Sequence, residues 1–434
     1  MKQNLKFTDI IALGFMLFAF FLGAGNVIFP PFAGYLAGDN ILPAMSGFLL
    51  TAVGLPLAGI IAIALAGGSW DKMSQYLPKR AAVLMAVLIF IIIGPAFAAP
   101  RTGLVGYEMA IKPFINAPTQ FHLIGFSILF FVVAMWFSWF QGRLIDMIGK
   151  VLTPALIVSL IALAVGAIVD PQGNIMAAQG EYITHPLQKG FLEGYNTMDT
   201  LASLMFGALI VDALRVKGIT DKAVTTRYLI SSACIAAAGL AFVYMSLFYL
   251  GATSSAVAAG AENGGEILTQ YVQALFGPYG QIVLSVIVLL ACLTTAIGLI
   301  SACSDYFSSI TSVPYKAWVL IVGCACALVA NVGLSQLIAL SIPVLFTLYP
   351  VAIALVALTF IRNQLPNPHS SYRLVLLVAL VFAAIDGAKA ANVDVSALSF
   401  LPLFDVGMAW LLPTIVAIIV AFFIRGGVKT PATN

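Results

Sequence analysis

Runs of about twenty apolar residues recur along the whole chain, and they decide the fold class before any motif is read. An α-helix rises about 1.5 Å per residue, so about 20 apolar residues cross the hydrocarbon of a bilayer. Of the 434 residues, 62% are hydrophobic and only 9% charged, a balance foreign to water-soluble domains. The chain therefore reads as an all-α polytopic membrane protein. About twelve spans are predicted, over 9–36, 41–66, 81–109, 122–140, 148–169, 196–213, 228–251, 279–302, 315–331, 335–361, 372–390 and 407–424. No soluble domain interrupts them, and residues 426–434 read as a frayed end. Lys2 and Lys6 before the first apolar run mimic a signal peptide, but the run continues to Leu36, so the segment is expected to be retained.

Charge placement tests the span count. With the N-terminus in the cytoplasm, sixteen lysines and arginines fall on the inner side, among them Lys79, Arg80, Arg143, Lys150, Lys217, Arg425 and Lys429. Only Lys112, Lys189 and Lys389 fall outside, and Arg101 lies within the third span. Such a bias is the positive-inside rule, and it puts both termini in the cytoplasm. The net charge of +3 gives no reason to expect a nucleic-acid partner, and no obligate protein partner is evident. The five cysteines sit in apolar segments without metal-ligand spacing and read as packing residues. Two longer outer connections, 170–193 and 251–280, are either lids or plain connectors.

Within the first span, FFLGAGNVIFPPFAG from Phe20 to Gly34 crowds Gly23, Gly25, Asn26, Pro30 and Pro31 together. Glycine costs a helix interior roughly 1 kcal/mol and proline about 3. In lipid a freed backbone group costs several kcal/mol more unless it is buried or lines a cavity. A helix broken near mid-membrane marks a transporter site, where half-helix ends offer N–H groups to an anion and carbonyls to a cation. The sixth span, TMDTLASLMFGALIVDAL, is expected to be interrupted by Thr200, Ser203 and Gly207. Five spans separate the two. That spacing fits an inverted repeat of 8–170 on 194–362, with 372–425 outside it and one transporter domain overall.

Three further clusters are candidates. In the eighth span, Thr294 and Thr295 either bond the carbonyl a turn back or offer neutral oxygens to a cation such as Na⁺. In the third, GPAFAAPRTG places Arg101 at a costly depth. It could pair with Glu108 as a gate, snorkel outward or meet the substrate. Asp199 and Asp212 are expected near the ends of the sixth span, with a gating role open for either. His122, His185 and His369 lie at span edges or in loops, which argues against a histidine proton relay.

With these residues in view, the whole chain resembles the bacterial branched-chain amino acid:cation symporter family of the BrnQ type. The likeness is carried by DIIALGFMLFAFFLGAGNVIFPPFAG, GPAFAAPRTGLVGYE, GYNTMDTLASLMFGALIV, ACLTTAIGLISAC and NVGLSQLIALSIPVL. A more distant resemblance is to the LeuT fold of sodium symporters, through Gly25, Asn26, Phe29 and Pro30, through Cys292 to Thr295, and through Phe206 to Ala208. That resemblance implies a 5+5 inverted repeat with helices 1 and 6 broken and two extra C-terminal helices. It implies a substrate carboxylate at the backbone of Ala24 and Gly25, one Na⁺ at Asn26, and another at Thr294 and Thr295 with carbonyls near Phe20 and Gly23. Phe206 would wall the side-chain pocket, and Thr200 and Ser203 compete for one role. Gly23, Gly207, Phe97 and Pro100 complete the implied substrate lining.

The function expected is alternating-access symport of leucine, isoleucine and valine with Na⁺, with Li⁺ as a surrogate and no cofactor. No charged side chain is expected beside the GAGN and FGA segments, which favours substrates with uncharged side chains. The alternative is a proton-coupled carrier of another small neutral solute on the same fold. A channel would need a continuous polar lining, and an enzyme a convergent nucleophile and base or a metal motif; neither pattern is present.

Overall fold

The computed structural model describes residues 5–139, 143–216 and 218–424. Lys2, Lys217, Arg425, Lys429 and the tail 426–434 lie outside the described residues, as do the side chains of Arg143, Lys150, Ala208 and Asp212.

Each predicted span falls on helix. In chain order the helices are α1 (Phe7–Phe21), α2 (Ala24–Ala37), α3 (Ile41–Leu49), α4 (Leu55–Ala66), the short α5 (Trp70–Met73), α6 (Lys79–Ile91) and α7 (Ala98–Ala110). Then come α8 (Gln120–Trp139), α9 (Arg143–Val169), α10 (Pro186–Glu193), α11 (Asp199–Val216) and α12 (Lys222–Ala252). The chain closes with α13 (Gly264–Ile310), α14 (Tyr315–Val329), α15 (Leu334–Ile361), α16 (Pro368–Ala390) and α17 (Leu411–Ala421). Among the described residues eight helical stretches are long and apolar enough to cross a bilayer, and shorter apolar helices add to them. π-turns at Leu50–Gly54 and Ile92–Ala96 join α3 to α4 and α6 to α7. Such turns insert a residue into the helical ladder, often at functional sites.

The centre of the bundle is built on close approach. α2 packs against α12 and α13, α1 against α12, α7 against α13, and α11 against α4. In lipid no hydrophobic drive separates helix from solvent, so small residues that let backbones touch hold helices together. Gly34 is one: a methyl there would stand 2.8 Å from the Phe248 carbonyl carbon.

The first span is broken within Phe20–Gly34 as expected, at Leu22 and Gly23, and two other expectations about elements are corrected. Leu22 (φ −70°, ψ 75°) forms an inverse γ-turn, with the Gly23 N–H donating to the Phe21 carbonyl at 2.6 Å. Pro30 and Pro31 lie inside α2, where each only removes a donor to the carbonyl four residues back. In the sixth segment α11 runs unbroken through Thr200, Ser203 and Gly207. The interruption lies before it: a 3₁₀ turn, Gly194–Thr197, then Met198 at φ 62°. Thr200, Ser203 and Gly207 share one face, as positions i, i+3 and i+7 do. That face lies on the second span: the Thr200 hydroxyl is 3.5 Å from the Thr51 carbonyl, and Gly207 abuts Ile63. They are small residues for helix contact, not breakers. Lastly, the connection 251–280 is helical from Gly264 onward, and Gly277 (φ 63°) with Pro278 bends that helix into its membrane portion.

Candidate functional site

The two interruptions meet, and α2 presents three different faces to what surrounds them. Successive helical residues point about 100° apart, so residues 24 and 27 share one face and residues 25 and 29 another, with residue 26 between them.

The face of Ala24 and Val27 lines a cavity of about 380 Å³ that begins at Gly23. Its other walls are Val105 of α7, Leu160 and Leu163 of α9, and Val288, Ala291 and Cys292 of α13. The lining is almost wholly apolar, the environment an aliphatic side chain needs. Sequence reasoning anticipated Gly23 and Ala24 here, but not Val105 or Val288. A lone valine in an apolar span carries no signal that it faces a cavity.

Asn26 points the other way, into a buried polar cluster. Its amide nitrogen donates to Asp199 Oδ2 at 2.6 Å and also contacts the Tyr244 hydroxyl. Tyr244 donates to the same carboxylate oxygen at 2.8 Å. Asp199 is 2% exposed and opens α11 directly after the second interruption. Its backbone N–H is held by Thr197 Oγ1 at 3.3 Å. A carboxylate at the first turn of a helix is favoured by the helix dipole.

Gly25 and Phe29 face Arg101. The guanidinium carbon stands 5.1 Å above the Phe29 ring, a cation–π contact. Nη1 donates to the Asn196 carbonyl, in the second interruption, at 2.8 Å. Arg101 is 3% exposed, so it neither snorkels nor reaches Glu108. Glu108 instead pairs with Lys112 at 2.6 Å, and Lys112 reaches Glu266 at 3.4 Å, past the C-terminal end of α7. The break between α6 and α7 sets this aim. Gly94 leaves helical geometry (φ −91°, ψ −118°) and Phe97 caps the new helix, so Arg101 falls in the first turn of α7 with Phe97 and Pro100.

The expectation that no charged side chain lies beside the GAGN segment is thus overturned. One basic and one acidic side chain flank it, Arg101 from α7 and Asp199 from α11. Arg101 and Glu108 part because the kink at Gly94 aims α7 anew, and Asp199 reaches the centre because the second interruption lies just before it.

The eighth-span hydroxyls separate cleanly. Thr294 Oγ1 donates to the Ala291 carbonyl at 2.8 Å, the ordinary bond to the preceding turn. Thr295 Oγ1 is buried with no hydrogen-bond partner among the described residues. It faces the first interruption: a methyl built on Gly23 would stand 3.2 Å from Thr295 Cγ2 and 3.7 Å from Oγ1. A buried hydroxyl left unsatisfied costs about 1–3 kcal/mol. An orphaned oxygen beside a break that frees carbonyls is the chemistry of a small cation's coordination shell. Phe20 stacks on Phe206 at 5.3 Å between ring centroids, and Phe206 also meets Phe21 at 5.6 Å. Phe206 therefore packs on the end of α1, next to the break. Ser203 does not reach it: its hydroxyl bonds the Thr200 carbonyl at 2.7 Å and packs on Gly59.

Comparison with known proteins fits this geometry. Residues 6–427 match the model of the branched-chain amino acid transport protein family. The chain belongs to that family. Among members of the family, the branched-chain amino acid transport system 2 carrier protein of Pseudomonas aeruginosa is 46% identical over 421 residues, covering 96% of each chain. The branched-chain amino acid permease BrnQ of Escherichia coli K12 is 41% identical over 424 residues, 97% of this chain and 96% of that one. These relatives are carriers and permeases, and the chain is a transport protein rather than an enzyme. Among solved structures, the fold is similar to MhsT in complex with L-phenylalanine (TM-score 0.60, 17% identity, 95% and 98% of the two chains). It is also similar to the inward-facing conformation of Mhp1 (TM-score 0.63, 13% identity, 94% and 89%). The family member described here thus has the LeuT-type fold, with its first and sixth helical segments interrupted.

Proposed function

We propose that this protein imports leucine, isoleucine and valine across the bacterial inner membrane by Na⁺-coupled symport, with both termini in the cytoplasm. The relatives named for branched-chain amino acid transport support the substrate class. The apolar cavity opening at Gly23 supports it physically, since a branched aliphatic side chain gains about 0.8 kcal/mol for each CH₂ buried there. A single methylene separates valine from its neighbours by only about 1–3 kcal/mol, so broad selectivity among the three is expected.

The observation that carries the ion is the orphaned Thr295 hydroxyl against the first interruption. Thr295 Oγ1 with carbonyls of the Phe20–Gly23 turn would hold one Na⁺, and Li⁺ would substitute. Asn26, beside Asp199, is the candidate for a second ion near the substrate. Thr294 and Thr200 are ranked behind Thr295 in this reading, because their hydroxyls already donate to the Ala291 and Thr51 carbonyls. Alternating access would follow from rocking of the segments 8–170 and 194–362 about the meeting point of the two interruptions.

The test is radiolabelled isoleucine uptake into proteoliposomes, with an inward Na⁺ gradient compared with an inward proton gradient at matched membrane potential. Accumulation with Na⁺ alone is the expected result. Accumulation with protons alone would keep the substrate but remove Thr295 from the coupling mechanism. No uptake under either gradient would count against the substrate class.

A further inference from the structure

We propose that Arg101 is the residue that binds the substrate's α-carboxylate, and so sets the requirement for a free amino acid over its carboxyl-blocked derivatives. The inference rests on the substrate reading above and deepens it. Two independent features converge. One is the start of α2, a fourteen-residue helix whose first N–H groups, from Ala24 onward, have no partner within the helix. The other is the Arg101 guanidinium, which lies over that first turn. A methyl built on Gly25 would stand 3.2 Å from its Cζ and 3.3 Å from Nη2.

Arg101 is 97% removed from solvent, since its exposure is 3%, yet a single hydrogen bond holds it, from Nη1 to the Asn196 carbonyl. The other guanidinium nitrogens have no partner among the described residues. A guanidinium carries five donors in a fixed fork suited to a carboxylate. A cation this deep in a membrane protein is costly and is retained for a ligand or partner. Asp199, the nearby carboxylate, gives its Oδ2 to Asn26 and Tyr244 and is not in ion-pair contact with Arg101.

Position completes the argument. Val105 lies one helical turn beyond Arg101 on α7, hence on the same face, and lines the apolar cavity. A zwitterion with its carboxylate at Arg101 and the start of α2 would lay its side chain towards Val105, a turn further along the same face of α7. The bond to Asn196 ties the guanidinium to the second interruption as well. Carboxylate binding at Arg101 would therefore be felt by both broken segments.

The experiment measures dissociation constants of L-isoleucine and L-isoleucinamide, which differ at the carboxyl group alone, on the purified full-length carrier. Wild type is expected to prefer the acid strongly. In Arg101→Gln, isoleucine should bind about 10- to 100-fold more weakly, the range for losing a hydrogen bond to a charged group. Isoleucinamide should change little, so the preference collapses, and Arg101→Lys should restore part of it. Equal weakening of both ligands, or of neither, overturns the proposal and leaves Arg101 a structural tie to Asn196.

Should Arg101→Gln fail to fold, Gly25→Ala carries the test. It keeps the charge, suits a helix, and crowds the guanidinium at 3.2 Å. It is expected to weaken isoleucine more than isoleucinamide; an acid-to-amide ratio unchanged from wild type overturns the proposal too. A wild-type protein that binds neither ligand refutes the substrate reading itself, a result distinct from an unaltered acid-to-amide ratio in the variants.

Discussion

Replacing Thr295 with valine separates a cation ligand from a packing residue, because the two roles predict opposite signs. Valine keeps the shape and removes the hydroxyl. That hydroxyl is buried and has no hydrogen-bond partner among the described residues. Leaving such a group unsatisfied costs about 1–3 kcal/mol, so Thr295→Val should melt at the same temperature or higher in Na⁺-free buffer. With Na⁺ the ranking should reverse. Losing one oxygen from the ion's shell, at about 1.5–3 kcal/mol for a bond to a charged group, raises the Na⁺ needed for half-maximal isoleucine uptake by about 10- to 150-fold. Thr294→Val is the control. It loses the 2.8 Å bond to Ala291, costs about 0.5–1.5 kcal/mol, and should leave the Na⁺ requirement alone. Uptake in proteoliposomes across a Na⁺ series, with melting curves in Na⁺ and in choline, gives both readouts. A Thr295→Val protein that is less stable without Na⁺ and unchanged in its Na⁺ requirement would refute the reasoning.

Other substitutions test the frame around the site. Tyr244→Phe removes one of the two donors to the buried Asp199 carboxylate and should cost about 1.5–3 kcal/mol, read as a lower melting temperature together with impaired uptake. Gly34→Ala forces a methyl to 2.8 Å from the Phe248 carbonyl carbon, so α2 and α12 must separate; loss of folded carrier in size-exclusion chromatography is expected, and normal yield and uptake would contradict the packing. Asp386 accepts from the Ala409 and Trp410 N–H groups at 3.2 Å each, so Asp386→Ala should lower stability while the Na⁺ and isoleucine dependences stay as in wild type. In the short helix α10, burial works to lower the pKa of Lys189, but Glu193 and Glu181, at 3.3 and 3.2 Å, outweigh it and hold it above the ordinary lysine value. A raised pKa stabilises the fold below the unfolded value, near 10.4, and the benefit fades as pH climbs through the folded one. Lys189→Met should therefore cost up to about 1 kcal/mol at pH 7, with the gap to wild type closing in strongly alkaline buffer.

Hydropathy alone determined that this chain spans a membrane many times as helices, because a bilayer leaves the backbone no other way to satisfy its hydrogen bonds. Local chemistry also marked the first broken segment. Gly23 and Asn26 are too costly or too polar for plain lipid-facing helix, so they signal a site wherever they pack. The threonine pair was visible for the same reason, although which hydroxyl was free was not. Each can bond its own helix, and only the neighbourhood of Gly23 leaves Thr295 without a partner.

The tertiary structure alone decided where the second interruption falls and which charges reach the centre. Thr200, Ser203 and Gly207 look alike in sequence whether they break a helix or let it touch another; only contact with Gly59 and Ile63 distinguishes the two. Arg101 and Glu108 are close in sequence, but the kink at Gly94 turns one into the core and leaves the other with Lys112. Asp199 meets Asn26 across 173 positions of chain. A pattern along one helix fixes which residues share a face. It does not say what that face meets, because the meeting is set by backbone breaks and by how closely glycines let distant helices approach.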